Sequence, residues 1–114
     1  MFIAYGKNEE ELIFNSYLAF SEVFFEEEKK EKKEHKIKAK NLEDAIINSI
    51  EECLYFFDAF GKFLKIISVK KTKDGFLINF KVVNGKLKTY IKGVSYNIKI
   101  KKDKTLSAKV ILDV

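Results

Sequence analysis

The sequence predicts an α+β domain, with two helices packed on one face of a mostly antiparallel or mixed sheet. Three observations carry this. Apolar residues recur at helical spacing in two stretches before residue 60, each preceded by an asparagine suited to capping. From Phe63 onward the pattern changes to short alternating runs separated by Asp74-Gly75, Asn84-Gly85 and Asp103-Lys104. Helices first and tightly connected strands afterwards favour segregated layers over a βαβ succession. The length of 114 residues suits one core, and we read residues 1–114 as a single domain.

Residues Phe2 to Tyr5 form a short extended piece that Gly6 ends. Asn8 caps the first helix, with Glu11 three residues on as in a capping box. Leu12, Ser16, Ala19, Phe20, Val23 and Phe24 supply its stripe, which places the helix over about Glu9 to Glu27. The charge-dense run from Glu26 to Lys36 reads as a solvated helix end and loop, and His35 lies inside it. Ile37 and Ala39 alternate with lysines as a short strand.

Asn41 caps the second helix, whose stripe is Leu42, Ile46, Ile50, Cys53, Leu54 and Phe57, and Gly61 is placed to end it. Cys53 lies in that stripe, so it reads as a small core hydrophobe rather than a nucleophile. Strands are expected over Phe63 to Lys71, Phe76 to Val83, Leu87 to Lys92, Val94 to Lys101 and Leu106 to Leu112. The pairs Asp74-Gly75 and Asn84-Gly85 are expected to turn hairpins.

Composition excludes several function classes. One cysteine cannot build a disulfide framework or a cysteine zinc site. No apolar run approaches the roughly 20 residues of a membrane helix, and the start has no basic region of a signal peptide. The expectation is a soluble cytoplasmic protein without membrane contact. Net charge is +5 and every basic residue is lysine. Lysine is a point charge without the planar fork that reads guanine or grips phosphate in two places. The glycines are scattered rather than gathered into a phosphate loop, and a single histidine supports no catalytic triad.

Two segments stand apart. Lys92-Gly93-Val94-Ser95-Tyr96-Asn97 sets polar groups and a tyrosine around a glycine, and reads structurally as a bulge or strand entry. The end, Ile111-Leu112-Asp113-Val114, puts the Asp113 carboxylate beside the chain-terminal carboxylate of Val114. Hard cations favour such oxygens.

These segments, read with the rest of the chain, resemble the archease family. Ala4-Tyr5-Gly6-Lys7 followed by Glu10-Glu11-Leu12 is similar to the family's Ala-Tyr-Gly stretch and helix start. Asn41-Leu42-Glu43 through Leu54-Tyr55 resembles its second helix. Lys92-Gly93-Val94-Ser95-Tyr96 is similar to its Lys-Ala-Val-Thr-Tyr, and Val110-Ile111-Leu112-Asp113-Val114 to its terminal strand. The resemblance covers about Ala4 to Val114. It implies an accessory role rather than catalysis. Archeases assist the RtcB-type RNA ligase of tRNA splicing, promoting guanylylation of the ligase and its multiple turnover. It also implies a divalent cation, calcium, held between an N-terminal Asp and the C-terminal Asp, which would assign Asp113 and Val114 to that site. Lys92, Tyr96 and Asn97 are further functional candidates.

The sequence departs from the family in two places. The family's His-Thr-Ala-Asp precedes its Ala-Tyr-Gly strand, whereas here Met1 already stands in that strand. Either the reading frame starts upstream or this is a diverged member with a weakened or lost cation site. The family's His after Val-Thr-Tyr is Asn97 here. Two rival expectations remain: a Lys-rich single-stranded RNA-binding module stacking bases on Phe80, Tyr90 and Tyr96, and a chaperone-like interaction protein using an apolar flank near Tyr55 and Phe56.

Overall fold

The computed structural model describes the chain apart from Tyr96 and Asn97, and apart from the side chains of residues 29–32. Ten elements follow one another: β1 (Phe2–Gly6), α1 (Glu9–Phe24), β2 (Phe25–Ala39), α2 (Leu42–Phe60), β3 (Phe63–Thr72), β4 (Gly75–Leu87), β5 (Gly93–Val94), β6 (Lys99–Lys102), β7 (Leu106–Val110) and β8 (Leu112–Asp113). The α+β class holds, with every strand pairing antiparallel. The strands divide into two three-stranded sheets, ordered β1-β7-β6 and β2-β4-β3, and a ribbon of β5 with β8.

Both helices start where their caps predict. The Asn8 side chain accepts from the Glu11 N–H at 2.8 Å, and Asn41 accepts from the Asp44 N–H at 2.8 Å. Each bond satisfies one donor that the first helical turn leaves without an intrahelical partner. Helix α2 ends at Gly61, whose φ of 65° lies in the left-handed region that glycine enters without a Cβ clash. Its N–H donates to the Phe57 carbonyl at 2.8 Å.

Helix α1 is shorter than its sequence pattern suggests, and the charged run after it is not a loop. Phe25 is extended and begins a strand of 15 residues paired with β4 from Phe25↔Leu87 to Ala39↔Phe76. Opposite charges face each other across this ladder at Glu26↔Lys86 and Glu34↔Lys81. A mixed Glu/Lys sequence also suits an edge strand, because charge discourages pairing with another chain. The same ladder removes the second expected hairpin. Asn84-Gly85 does not turn, since β4 continues through it to Leu87, and Gly85 pairs with Glu27. The run after it, expected as a strand over Leu87 to Lys92, leaves the sheet at Lys88, whose N–H donates to the Phe24 carbonyl at 2.8 Å. Asp74-Gly75 does turn the β3–β4 hairpin, through Thr72↔Gly75.

Helix α1 packs against β1, β3, β7 and α2, so it touches both three-stranded sheets, while α2 packs on β2, β3, β4 and β5. The buried face of α1 is Leu12, Ile13, Ser16, Tyr17, Phe20, Ser21 and Phe24. It is rotated from the expected stripe: Val23 is exposed, and Ile13 and Tyr17 take the core positions. Phe24, Phe25, Phe57 and Phe63 form one aromatic cluster where α1, β2, α2 and β3 converge, with ring centroids 4.5 to 6.3 Å apart.

Candidate functional site

The two segments that stand apart in the sequence meet in space. Strand β5 pairs with β8 in the register Gly93↔Asp113 and Val94↔Leu112. Flanking bonds extend this short ladder: the Lys92 N–H donates to the Asp113 carbonyl at 2.6 Å, and the Ser95 N–H donates to the Ile111 carbonyl at 2.9 Å. Ile91 and Val94 are buried and Leu112 packs partly against the core, so the ribbon is anchored from beneath. Helix α2 packs against β5 and supports it from the interior. Asp113 and Val114 remain exposed beyond this anchor.

The chain end is thus fixed rather than fraying, the usual state of a terminus. The expected single strand from Leu106 to Leu112 is split: β7 pairs with β1 and β6, then the chain passes Ile111 and pairs with β5 instead. The strand expected over Val94 to Lys101 is divided in the same way, into β5 and β6. Gly93 sits under the Asp113 carboxylate, where an added Cβ would lie 3.7 Å from Oδ2, an ordinary contact distance. Lys92 is exposed beside it. Tyr96 and Asn97 lie outside the described residues. Because Phe2 pairs with Val110, the beginning of β1 lies beside the point where the chain leaves for β8.

Metal ligation at this end rests on few donors. Asp113 and the Val114 carboxylate supply acidic oxygens, whereas calcium takes roughly 6–8 oxygen ligands. Among the described residues no group of three or more His, Cys, Asp or Glu side chains could hold a metal ion.

Other candidates are placed elsewhere. His35 is on β2 rather than in a loop, with Nε2 3.5 Å from Glu52 Oε2 and its ring 4.7 Å from that of Phe56. It links the edge strand to α2. Phe80 is 1% exposed and belongs to the core, so it cannot stack a nucleic-acid base. Of the other expected stacking residues, Tyr90 is exposed. Tyr55 is exposed whereas its neighbour Phe56 is buried. The depression of about 530 Å³ near the β3–β4 hairpin is lined by Lys38, Lys40, Lys73, Asp74 and their neighbours, without a paired nucleophile and base. Among the described residues, no helix is long and apolar enough to cross a membrane.

A two-helix α+β domain whose last strand is clamped to β5 and carries an exposed Asp is the class this geometry defines. The sequence matches the Archease protein family (MTH1598/TM1083) over residues 1–114, and the chain belongs to that family. Solved structures share its fold, two of them as follows. One is an archease and possible chaperone of Thermotoga maritima (TM1083), 20% identical, with a TM-score of 0.74 over 99% of this chain and 88% of that one. The other is the solution structure of Methanobacterium thermoautotrophicum protein 1598, 21% identical, with a TM-score of 0.66 over 98% of this chain and 89% of that one. No curated protein matches the sequence.

Proposed function

We propose that this chain is a non-catalytic accessory factor that activates an RtcB-type RNA ligase in tRNA splicing, promoting its guanylylation and multiple turnover. Family membership supports an archease role, and the description of the Thermotoga relative as a possible chaperone agrees with action on a partner protein. The observation that carries the reading is the β5–β8 ribbon. Its backbone bonds hold an exposed Asp113 carboxylate on a supported tip, a form suited to reaching into a partner's site. Asp113 is the acting residue, and Lys92 lies beside it on the same ribbon. Such a partnership places the protein in the cytoplasm with the splicing machinery. The divalent cation belongs to this proposal too: Asp113 and Val114 would offer calcium a partial set of oxygens, with water supplying others.

The test is guanylylation of the partner ligase with GTP and Mn²⁺. Addition of the protein should raise the amount of ligase–nucleotide adduct and permit repeated ligation. Asp113→Ala should remove most of that stimulation while leaving the fold intact, because the side chain is exposed. Equal stimulation by Asp113→Ala rules out the assigned role of Asp113, and no stimulation by the parent protein rules out ligase activation. Calcium titration followed at the Asp113 amide resonance reports the cation separately, with Asp113→Asn expected to weaken it.

A further inference from the structure

We propose that the solvent face of the β1-β7-β6 sheet binds single-stranded nucleic acid through Tyr5 and a cluster of lysines. This goes beyond ligase activation and uses none of the residues of the β5–β8 ribbon. The strand registers define the face. Ile3, Lys109 and Lys99 lie in one row across the three strands, and Tyr5, Ser107 and Lys101 lie in the next row of the same face. The opposite face carries Ala4, Ala108 and Val110, all buried, and its packing against α1 fixes which face looks outward.

Tyr5 is 59% exposed and Ile3 is 51% exposed. A tyrosine ring standing on an open sheet, with no core partner on its outer side, costs hydrophobic free energy unless something covers it. Its neighbours say what would. Among the described residues, Lys99, Lys101 and Lys109 form no ion pair. The face therefore carries an excess of positive charge around an exposed π-surface, with Asp103 at its edge. Adjacent strands lie roughly 4.8 Å apart and alternate residues along a strand roughly 6.8 Å apart, so these ammonium groups form a grid within reach of successive phosphates. The adjoining depression of about 360 Å³ continues the face past Lys101 to Asp103, Lys104 and Thr105. Asp103 is its acidic group, and that carboxylate already accepts the Lys104 N–H at 3.0 Å.

A stacking ring amid lysines is the chemistry of sequence-tolerant single-strand binding: bases stack on the ring and phosphates meet point charges. Lysine contacts position a backbone without reading base edges, so such binding is tolerant of sequence. A membrane surface would be met by charge, but an isolated Tyr and Ile offer little apolar depth compared with an amphipathic helix.

The test is fluorescence anisotropy with a labelled mixed-sequence RNA of about 12 nucleotides, within the usual site size of such surfaces. Binding should weaken with salt, with a slope of log K against log salt near −2, the value for about three phosphate contacts on a single strand. Tyr5→Ala should weaken binding by roughly fivefold or more at unchanged slope, and Tyr5→Phe should not. Lys101→Ala should lower the slope by about 0.7, whereas Lys70→Ala on the other sheet should change nothing. Should Tyr5→Ala fail to fold, the double variant Lys99→Glu, Lys101→Glu takes its place and should abolish binding. The proposal is overturned by no binding at about 50 mM salt, by equal affinity for duplex RNA, or by face variants that behave like Lys70→Ala. Binding to phosphatidylserine vesicles without binding to RNA also overturns it.

Discussion

Tyr17 shows how one side chain ties distant parts of the sequence. Its hydroxyl donates to the Leu64 carbonyl, 47 residues away, and the Cys53 thiol lies against it. The helix spacing Ile13, Tyr17, Phe20, Phe24 was present in the sequence. The stripe through Leu12, Ser16 and Phe20 runs on toward Val23, which is exposed, while Ile13 and Tyr17 are buried. Cys53 is buried, as its place in the α2 stripe predicts. Burial pushes its thiol from 9.0 up to about 11, with the Tyr17 hydrogen bond opposing in part, and burial likewise raises Tyr17 above its ordinary 10.0. Between pH 9 and 11 the unfolded chain loses the Cys53 proton while the folded chain keeps it, so the unfolded state binds fewer protons and stability falls as pH rises. The full effect amounts to about 2–3 kcal/mol. Urea unfolding across pH 8 to 11 should show this decline. Cys53→Ala should delay its onset until near pH 10, where the unfolded chain begins to lose the Tyr17 proton that the folded chain keeps. A decline from pH 9 that is identical in Cys53→Ala assigns it to other groups.

At the scale of elements, the charged part of β2 and the continuation of β4 past Val83 were the least legible. The Glu/Lys run from Glu26 to Lys36 has neither helical nor strand periodicity, so of this 15-residue strand only the end at Ile37 and Ala39 carried an apolar signal. What makes the strand is its partner: β4 is a central strand with β3 on its other edge. The same partnership cancels the Asn84-Gly85 turn signal. Gly85 is required there by close approach, because a Cβ would overlap the Glu26 carbonyl oxygen and press on the Phe63 ring. Gly85→Ala should therefore destabilise the fold by about 1–3 kcal/mol, as overpacking does. Gly93→Ala should change stability by less than about 0.5 kcal/mol, because its Cβ has room and its φ is not positive. Comparing urea midpoints of the two variants checks both. Similar losses would mean that the β5–β8 ribbon is as tightly packed as the β2–β4 ladder.

At the scale of the molecule, the first strand pairs with β7, just before the chain end. Strand β1 depends on β7, and the chain then crosses to β5 through Ile111. The terminal residues therefore belong to the fold's hydrogen-bond network, even though Val114 itself is 75% exposed. Deletion of Leu112 to Val114 should release the protection of the Lys92 amide against hydrogen exchange, since its acceptor is the Asp113 carbonyl. Amides in the centre of β4 should keep theirs. Loss of protection throughout would mean that the ribbon holds the whole domain rather than its tip.

The sequence by itself determined the α+β class, both helix caps, the burial of Cys53, the β3–β4 turn and the family. Those features depend on local chemistry: an asparagine oxygen facing free N–H groups, an apolar stripe, a glycine at a turn. Only the tertiary structure decided the rest. It made a strand from a charged run by supplying β4 as partner. It carried Asn84-Gly85 straight through a ladder, and it placed Lys92-Gly93-Val94-Ser95 against Ile111-Leu112-Asp113. It also put Tyr5 on one face with Lys99, Lys101 and Lys109, residues more than 90 positions away in the chain. Pairing across such separations is set by the whole core, since a strand's hydrogen bonds are made to whichever edge the packing of α1 and α2 leaves beside it.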